Sequence, residues 1–196
     1  MTSTNQSNFS VSNDAVDTAR SLRKLYFTRV AFSVIWIALV VTLGKTNNTL
    51  ATILFVIYPA WDVIATFFDI DANPPTANKT PQYVNAGIST LTAIAVIVAL
   101  QSGIPAALMV FGAWAFLTGL IQLILGLRRR KHFEGQWPMI ISGAQSMLAG
   151  GFIIATAHTP NQGIVSLAGY SAFGAFYFAL AAFRLGKTLK NASAAA

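Results

Sequence analysis

Few residues in this chain could carry chemistry. There is no cysteine, and the two histidines, His132 and His158, fall in different connections between apolar runs. Thiol catalysis, disulfides, thiolate metal sites and iron–sulfur clusters are therefore excluded. Neither a phosphate-cradling loop, a dinucleotide fingerprint, a nucleophile elbow nor a zinc-protease helix is present. His132, Glu134 and the distant Asp69 and Asp71 have no metal-ligand spacing. The reading is a non-enzymatic chain without metal or cofactor.

One acidic residue, Asp62, lies inside a long apolar run. At 1.5 Å per helical residue it would sit roughly 10 Å deep. A carboxylate at that depth costs several kcal/mol unless it is paired or hydrated, and it should face a protein interior. Arg29 lies near the same end of the preceding run, so an antiparallel hairpin would bring the two together. The pair has two readings: a titratable group in a polar cavity, or an ion pair that sets the register of the first hairpin. Gln122 and Gln145 lie within later runs. They complete a candidate polar intramembrane site or act as interhelical glue. Ser89, Thr90, Thr118, Ser142 and Ser146 can bond the carbonyl of their own preceding turn and carry little weight.

Aromatics recur on alternate runs. Tyr58, Trp61, Phe111, Trp114, Tyr170 and Phe173 are read either as a cavity for a lipid tail or apolar compound or as a packed belt. Arg128, Arg129, Arg130 and Lys131 form a basic run suited to anionic headgroups. Trp137 beside Pro138 reads as an interfacial anchor. Ala115/Gly119, Ser146/Gly150 and Gly151/Ala155 are small pairs four apart. They would let helix backbones approach, within the chain or in a homo-oligomer.

The elements that must position these residues follow from composition. Of 196 residues, 55% are hydrophobic and 10% charged, and the mean hydropathy is +0.59. A soluble domain carries about 25% charged residues, so a soluble enzyme and a disordered chain are both excluded. Apolar runs fall at about 25–43, 50–68, 84–100, 105–127, 138–157 and 163–185. Each suits a helix crossing roughly 30 Å of hydrocarbon. Strands are excluded because no alternation is seen. Residues 1–13 read as a disordered tail, 14–27 as a short interfacial helix and 188–196 as a C-terminal tail. The first run has no small-x-small cleavage site and reads as a span rather than a removed signal.

Connections at 44–49, 101–104 and 158–162 are short and force antiparallel neighbours. The natural units are then three hairpins, 25–68, 84–127 and 138–185, in one membrane domain over 25–187. With the N-terminus cytoplasmic, twelve of the thirteen Lys and Arg residues fall inside and Lys45 alone outside, a strong positive-inside signal. It also accounts for the net charge of +7 without nucleic acid.

The even runs share a motif: Tyr58-Pro59-Ala60-Trp61, Phe111-Gly112-Ala113-Trp114 and Tyr170-Ser171-Ala172-Phe173. Their starts are 53 and 59 positions apart. Gly87, Thr90, Leu91 and Ala93 align with Gly143, Ser146, Met147 and Ala149 at an offset of 56. The fold class expected is all-α and integral to the membrane. Six transmembrane helices form three repeated antiparallel hairpins in a pseudo-threefold bundle, with both termini cytoplasmic. Ala115 and Gly174 follow the later motifs where Asp62 follows the first, so a conduction path lined by three carboxylates is not available.

The segment from Phe111 to Gly119, Gly135-Gln136-Trp137-Pro138 with Ser142-Gly143, Gly150-Gly151, and Tyr58-Pro59-Ala60-Trp61-Asp62 resemble the short-repeat membrane family that includes the HdeD-like acid-resistance proteins. The similarity covers roughly residues 25–187. The resemblance implies a six-helix protein of the bacterial inner membrane with a structural or stress-related role, without assigned catalytic residues. The alternatives are a proton-responsive channel or small-solute transporter around Asp62, and a binder of lipid or another hydrophobic ligand between hairpins. Membrane lipids are the expected partners.

Overall fold

The computed structural model describes residues 3–129 and 137–194. Among them are six α-helices and no strand: α1 (Ser3–Leu43), α2 (Asn48–Ala72), α3 (Thr80–Gln101), α4 (Ile104–Arg129), α5 (Trp137–Thr156) and α6 (Leu167–Ala194). A 3-10 turn at Ile164–Ser166 leads into α6. All six helices are long and apolar enough to cross a membrane, which marks a multi-pass, all-helical membrane protein.

Local chemistry sets the ends. The Asn47 side chain accepts from the Leu50 amide at 2.9 Å and caps α2. α2 continues through Asp69 and Asp71 and stops at Asn73, held extended (φ −92, ψ 144) ahead of Pro74 and Pro75. Gly103, at φ +106, turns α3 into α4. Pro59 lies inside α2 and leaves the Phe55 carbonyl without its helical donor. One residue earlier, the Leu54 carbonyl takes a hydrogen bond from Trp36 Nε1 at 2.9 Å.

Two boundaries differ from the sequence reading. α1 runs without a break through the tail read at 1–13 and the separate helix read at 14–27. No glycine or proline occurs before Gly44 to interrupt it. Its 41 residues extend about 60 Å, twice the hydrocarbon thickness, so its first half overhangs the span. α6 likewise continues through the region read as a tail to Ala194.

Pairwise registers make each neighbouring pair antiparallel. Arg29 meets Asp62, and Trp36 meets Leu54, between α1 and α2. Asp62 meets Ser89, and Thr66 meets Asn85, between α2 and α3. Ser146 meets Tyr170, and Trp137 meets Arg184, between α5 and α6. Arg23, midway along α1, lies against Gly186 near the end of α6, so α6 returns to pack on α1. Each helix packs on its neighbours in chain order and α6 closes on α1, a ring of six.

The closest packing is α4 on α5, α1 on α6 and α2 on α3. The helices joined by short loops are neighbours too, but they are not in every case the most closely packed pairs. The reason is side-chain size. Gly112, Gly119 and Gly126 on α4 recur every seven residues, as do Gly143 and Gly150 on α5. A Cβ on Gly119 would lie 2.8 Å from the Gly143 carbonyl oxygen, and one on Gly150 would lie 2.5 Å from that of Gly112. Backbone meets backbone along this seam. Ala115, 0% exposed, belongs to the same bundle interior, whereas a Cβ on Gly151 would meet nothing within 4 Å and Ala155 is exposed. The Gly151/Ala155 pair therefore lies outside the seam.

Candidate functional site

Asp62 sits on α2 with its side chain 15% exposed, as is that of Arg29. Arg29 Nη1 donates to Asp62 Oδ1 at 2.8 Å. The other carboxylate oxygen, Oδ2, accepts from Asn85 Nδ2 and from Ser89 Oγ, each at 2.8 Å. Asn85 Nδ2 also reaches Thr66 Oγ1 at 3.0 Å, and Trp114 Nε1 donates to Ser89 Oγ at 2.9 Å. Because Ser89 Oγ takes the indole hydrogen, its own proton goes to the carboxylate. The guanidinium of Arg29 also stands 5.0 Å from the Phe178 ring centroid on α6. One carboxylate thus ties α1, α2 and α3 directly, and α4 through Ser89.

The set read from sequence is only partly gathered. Arg29 and Asp62 are in contact. Gln122 on α4 and Gln145 on α5 are half-buried and donate to no group of this network. Two of its donors, Asn85 and Ser89, come instead from α3. Thr90 and Thr118 do bond their own preceding turns, to the Ala86 and Trp114 carbonyls. Ser89 does not, because a carboxylate is a stronger acceptor than a carbonyl already used by its helix. Ser146 also departs from the expectation and donates to the Tyr170 hydroxyl at 3.0 Å. A signal for the missed donors lies in the internal offset. Arg29 and Ser33 on α1 and Asn85 and Ser89 on α3 are the same i, i+4 pair, 56 positions apart, and Asp62 stands on the helix between them.

One turn from Asp62, Tyr58 opens the aromatic cluster. The leading aromatics of the three motifs touch one another. Tyr58 and Phe111 are 5.7 Å apart, Phe111 and Tyr170 5.8 Å, and Tyr58 and Tyr170 6.3 Å, centroid to centroid. Trp114 joins them, 5.0 Å from Phe111. These are contact separations for aromatic rings, so the rings fill the space between α2, α4 and α6. Tyr58, Phe111, Trp114 and Tyr170 are thus packed on one another, the arrangement that the packed-belt reading describes. The other two candidates lie apart. Trp61 stacks on Phe32 at 4.7 Å, and Phe173 faces outward, 57% exposed. Three copies of a motif do not keep one environment: all three leading aromatics meet in the cluster, but of the closing ones only Trp114 joins them.

Arg128 is exposed at the end of α4. Arg130, Lys131, His132 and Glu134, and the side chain of Arg129, lie outside the described residues. Among the described residues no three His, Cys, Asp or Glu side chains gather to hold a metal ion. Two cavities lie away from Asp62. One, about 120 Å³, lies between α4, α5 and the turn before α6, beside Leu108, Phe152 and Ser166. The other is a groove of about 370 Å³ along Gly169, Ala172, Phe173 and Phe176 on α6. The Asp62 arrangement provides an ion pair and hydrogen bonds between helices.

No curated protein and no solved structure matches the chain. Residues 84–155, which cover most of α3, all of α4 and nearly all of α5, match the family model of a short repeat of unknown function, DUF308.

Proposed function

We propose that this chain is a non-enzymatic protein of the bacterial inner membrane with a structural or stress-related role, and that it works as a closed bundle rather than as a conduit. Three hairpins repeat about a pseudo-threefold axis, and both ends lie in the cytoplasm. The resemblance to acid-resistance membrane proteins is what suggests the stress-related part. The observation that carries the closed-bundle part is the ring contact of Tyr58, Phe111 and Tyr170 on the bundle's interior. It leaves no open lumen there, and Asp62 beside it is engaged by three donors from two neighbouring helices.

A transporter would need a site that empties and refills. Here Asp62, the acid deep inside α2, is held by Arg29, Asn85 and Ser89. Secondary transporters also break their helices at such a site, whereas α2 runs unbroken past Asp62.

The test is a liposome flux assay on the purified protein, with a proton gradient and a pH-sensitive dye inside. The expected result is no protein-dependent flux for the wild type or for Asp62→Asn. Flux that rises with the gradient and is abolished by Asp62→Asn would replace this reading with that of a proton-responsive channel.

A further inference from the structure

α3 carries a polar stripe where a membrane helix would ordinarily bury apolar side chains. Gln82, Asn85, Ser89 and Thr92 recur at helical spacing on one face. Gln82 is 5% exposed, Ser89 0% and Thr92 8%. Opposite them α2 presents Thr66 and Asp62. This column starts in the first turn of α3, at the end of the bundle where the chain's termini lie. It reaches Ser89 about 10 Å further in. The Trp114 indole seats on Ser89 and divides the column there, with Thr92 one turn further along α3 and the Tyr58, Phe111 and Tyr170 rings beyond Asp62.

One rung of the column is incomplete. Gln82 Oε1 is buried and has no hydrogen-bond partner in the protein. A buried carbonyl in that position calls for a donor. Asn85, one turn away on the same face, and Thr66 across the seam bring further polar atoms, so a water molecule there would find the two to four partners it needs. The Asp62 and Arg29 side chains, next along the column, each keep 15% exposure.

We propose that the α2–α3 seam is a water-binding recess, open only at the end of the bundle that carries the termini, which brings water to the Asp62–Arg29 pair from that side alone. It is a dead end: the aromatic cluster separates it from the opposite face. The proposal rests on the closed-bundle reading and adds to it a polar entrance with one opening.

The natural lack of cysteine makes the test direct. Single variants Gln82→Cys, Asn85→Cys and Ser171→Cys are placed in vesicles of known orientation and treated from either side with a small, charged, membrane-impermeant methanethiosulfonate. Gln82→Cys and Asn85→Cys are expected to react from the terminal side at least tenfold faster than from the other. Ser171→Cys, at a fully buried position on α6, is expected to react from neither. Silence at both Gln82→Cys and Asn85→Cys overturns the recess and leaves the closed bundle standing. Reaction from the far side at any of the three overturns the closed bundle itself.

Gln82→Cys removes none of the bonds to Asp62, so it guards against misfolding at Asn85. Gln82→Leu gives a second readout. If the seam holds water, this variant lowers the melting temperature in detergent. A rise, the result for an orphaned carbonyl in a dry seam, overturns the recess.

Discussion

Asp62 is the residue on which the first four helices converge, and the cost of losing it depends on what it leaves behind. Removing the carboxylate strands a guanidinium, an amide hydrogen and a hydroxyl hydrogen at once. A fully buried pair broken this way costs about 3–5 kcal/mol. Arg29 keeps 15% exposure and can turn its long side chain toward lipid phosphate, so Asp62→Ala is expected to cost about 2–3 kcal/mol. Asp62→Asn keeps an acceptor and should cost less and stay folded. Trp114→Phe deletes one indole donor but keeps the ring, and should cost about 0.6 kcal/mol, typical of an interhelical hydrogen bond in a membrane. Denaturant unfolding of the purified protein in mixed micelles ranks the three. Equal losses for Asp62→Ala and Trp114→Phe would show that the pair contributes nothing beyond one ordinary bond. The ion pair was legible from the sequence because a short loop fixes antiparallel register and only one acid and one base share that depth. Asn85 and Ser89 were not. A hydroxyl in a helix has a local acceptor available, and nothing in the residue itself says that a carboxylate on the next helix will outcompete it.

Among the elements, α4 and α5 approach most closely, and the cause is a glycine row with a seven-residue period. That period keeps one face of a helix toward its partner over several turns. The seam makes a sharp distinction between two adjacent glycines. A Cβ on Gly150 would sit 2.5 Å from both the Gly112 carbonyl oxygen and the Phe116 amide nitrogen, backbone atoms that cannot swing aside. A Cβ on Gly151 would meet nothing within 4 Å. Gly150→Ala is therefore expected to destabilise by about 1–3 kcal/mol, as overpacking does, while Gly151→Ala should be neutral or slightly stabilising through its helix propensity. Thermal unfolding of the two variants in one detergent checks this, and equal melting temperatures would refute the close α4–α5 seam. The six helices themselves were readable from run length and hydropathy. Which pairs pack most tightly was not, because a short connection says that two helices are neighbours and says nothing of how close their axes come. The overhang of α1 was missed for a related reason: a polar stretch without Gly or Pro has no breaker, and a helix already nucleated in the membrane can extend through it.

At the scale of the whole molecule, the ring and the charge distribution make one joint statement. An even number of antiparallel spans puts both termini on one face, and Arg23 beside Gly186 brings α1 and α6 together on that side of the bundle. That same face receives Arg20, Arg23, Lys24, Lys79, Arg128, Arg184 and Lys187, while the opposite face has Lys45. Positively charged loops stay on the cytoplasmic side of a bacterial membrane, so the expected orientation has both ends inside. A reporter that fluoresces only in the cytosol should light up when fused before residue 1 or after residue 196, and stay dark when inserted between residues 158 and 162. The bias is spread over the chain, which gives a stronger test. Replacing Arg128, Arg129, Arg130 and Lys131 with glutamine removes the densest basic run, yet the charges before the first span and after the last still oppose inversion. The orientation should therefore survive that quadruple change, and it should weaken only when Arg20, Arg23, Lys24 and Arg29 are neutralised as well. Of these, Arg29 is the one whose loss also breaks the bond to Asp62. Neutralising the other three first separates an effect on topology from an effect on stability. Inversion by the quadruple change alone would mean that one loop, rather than the summed charge of the face, holds the molecule in place.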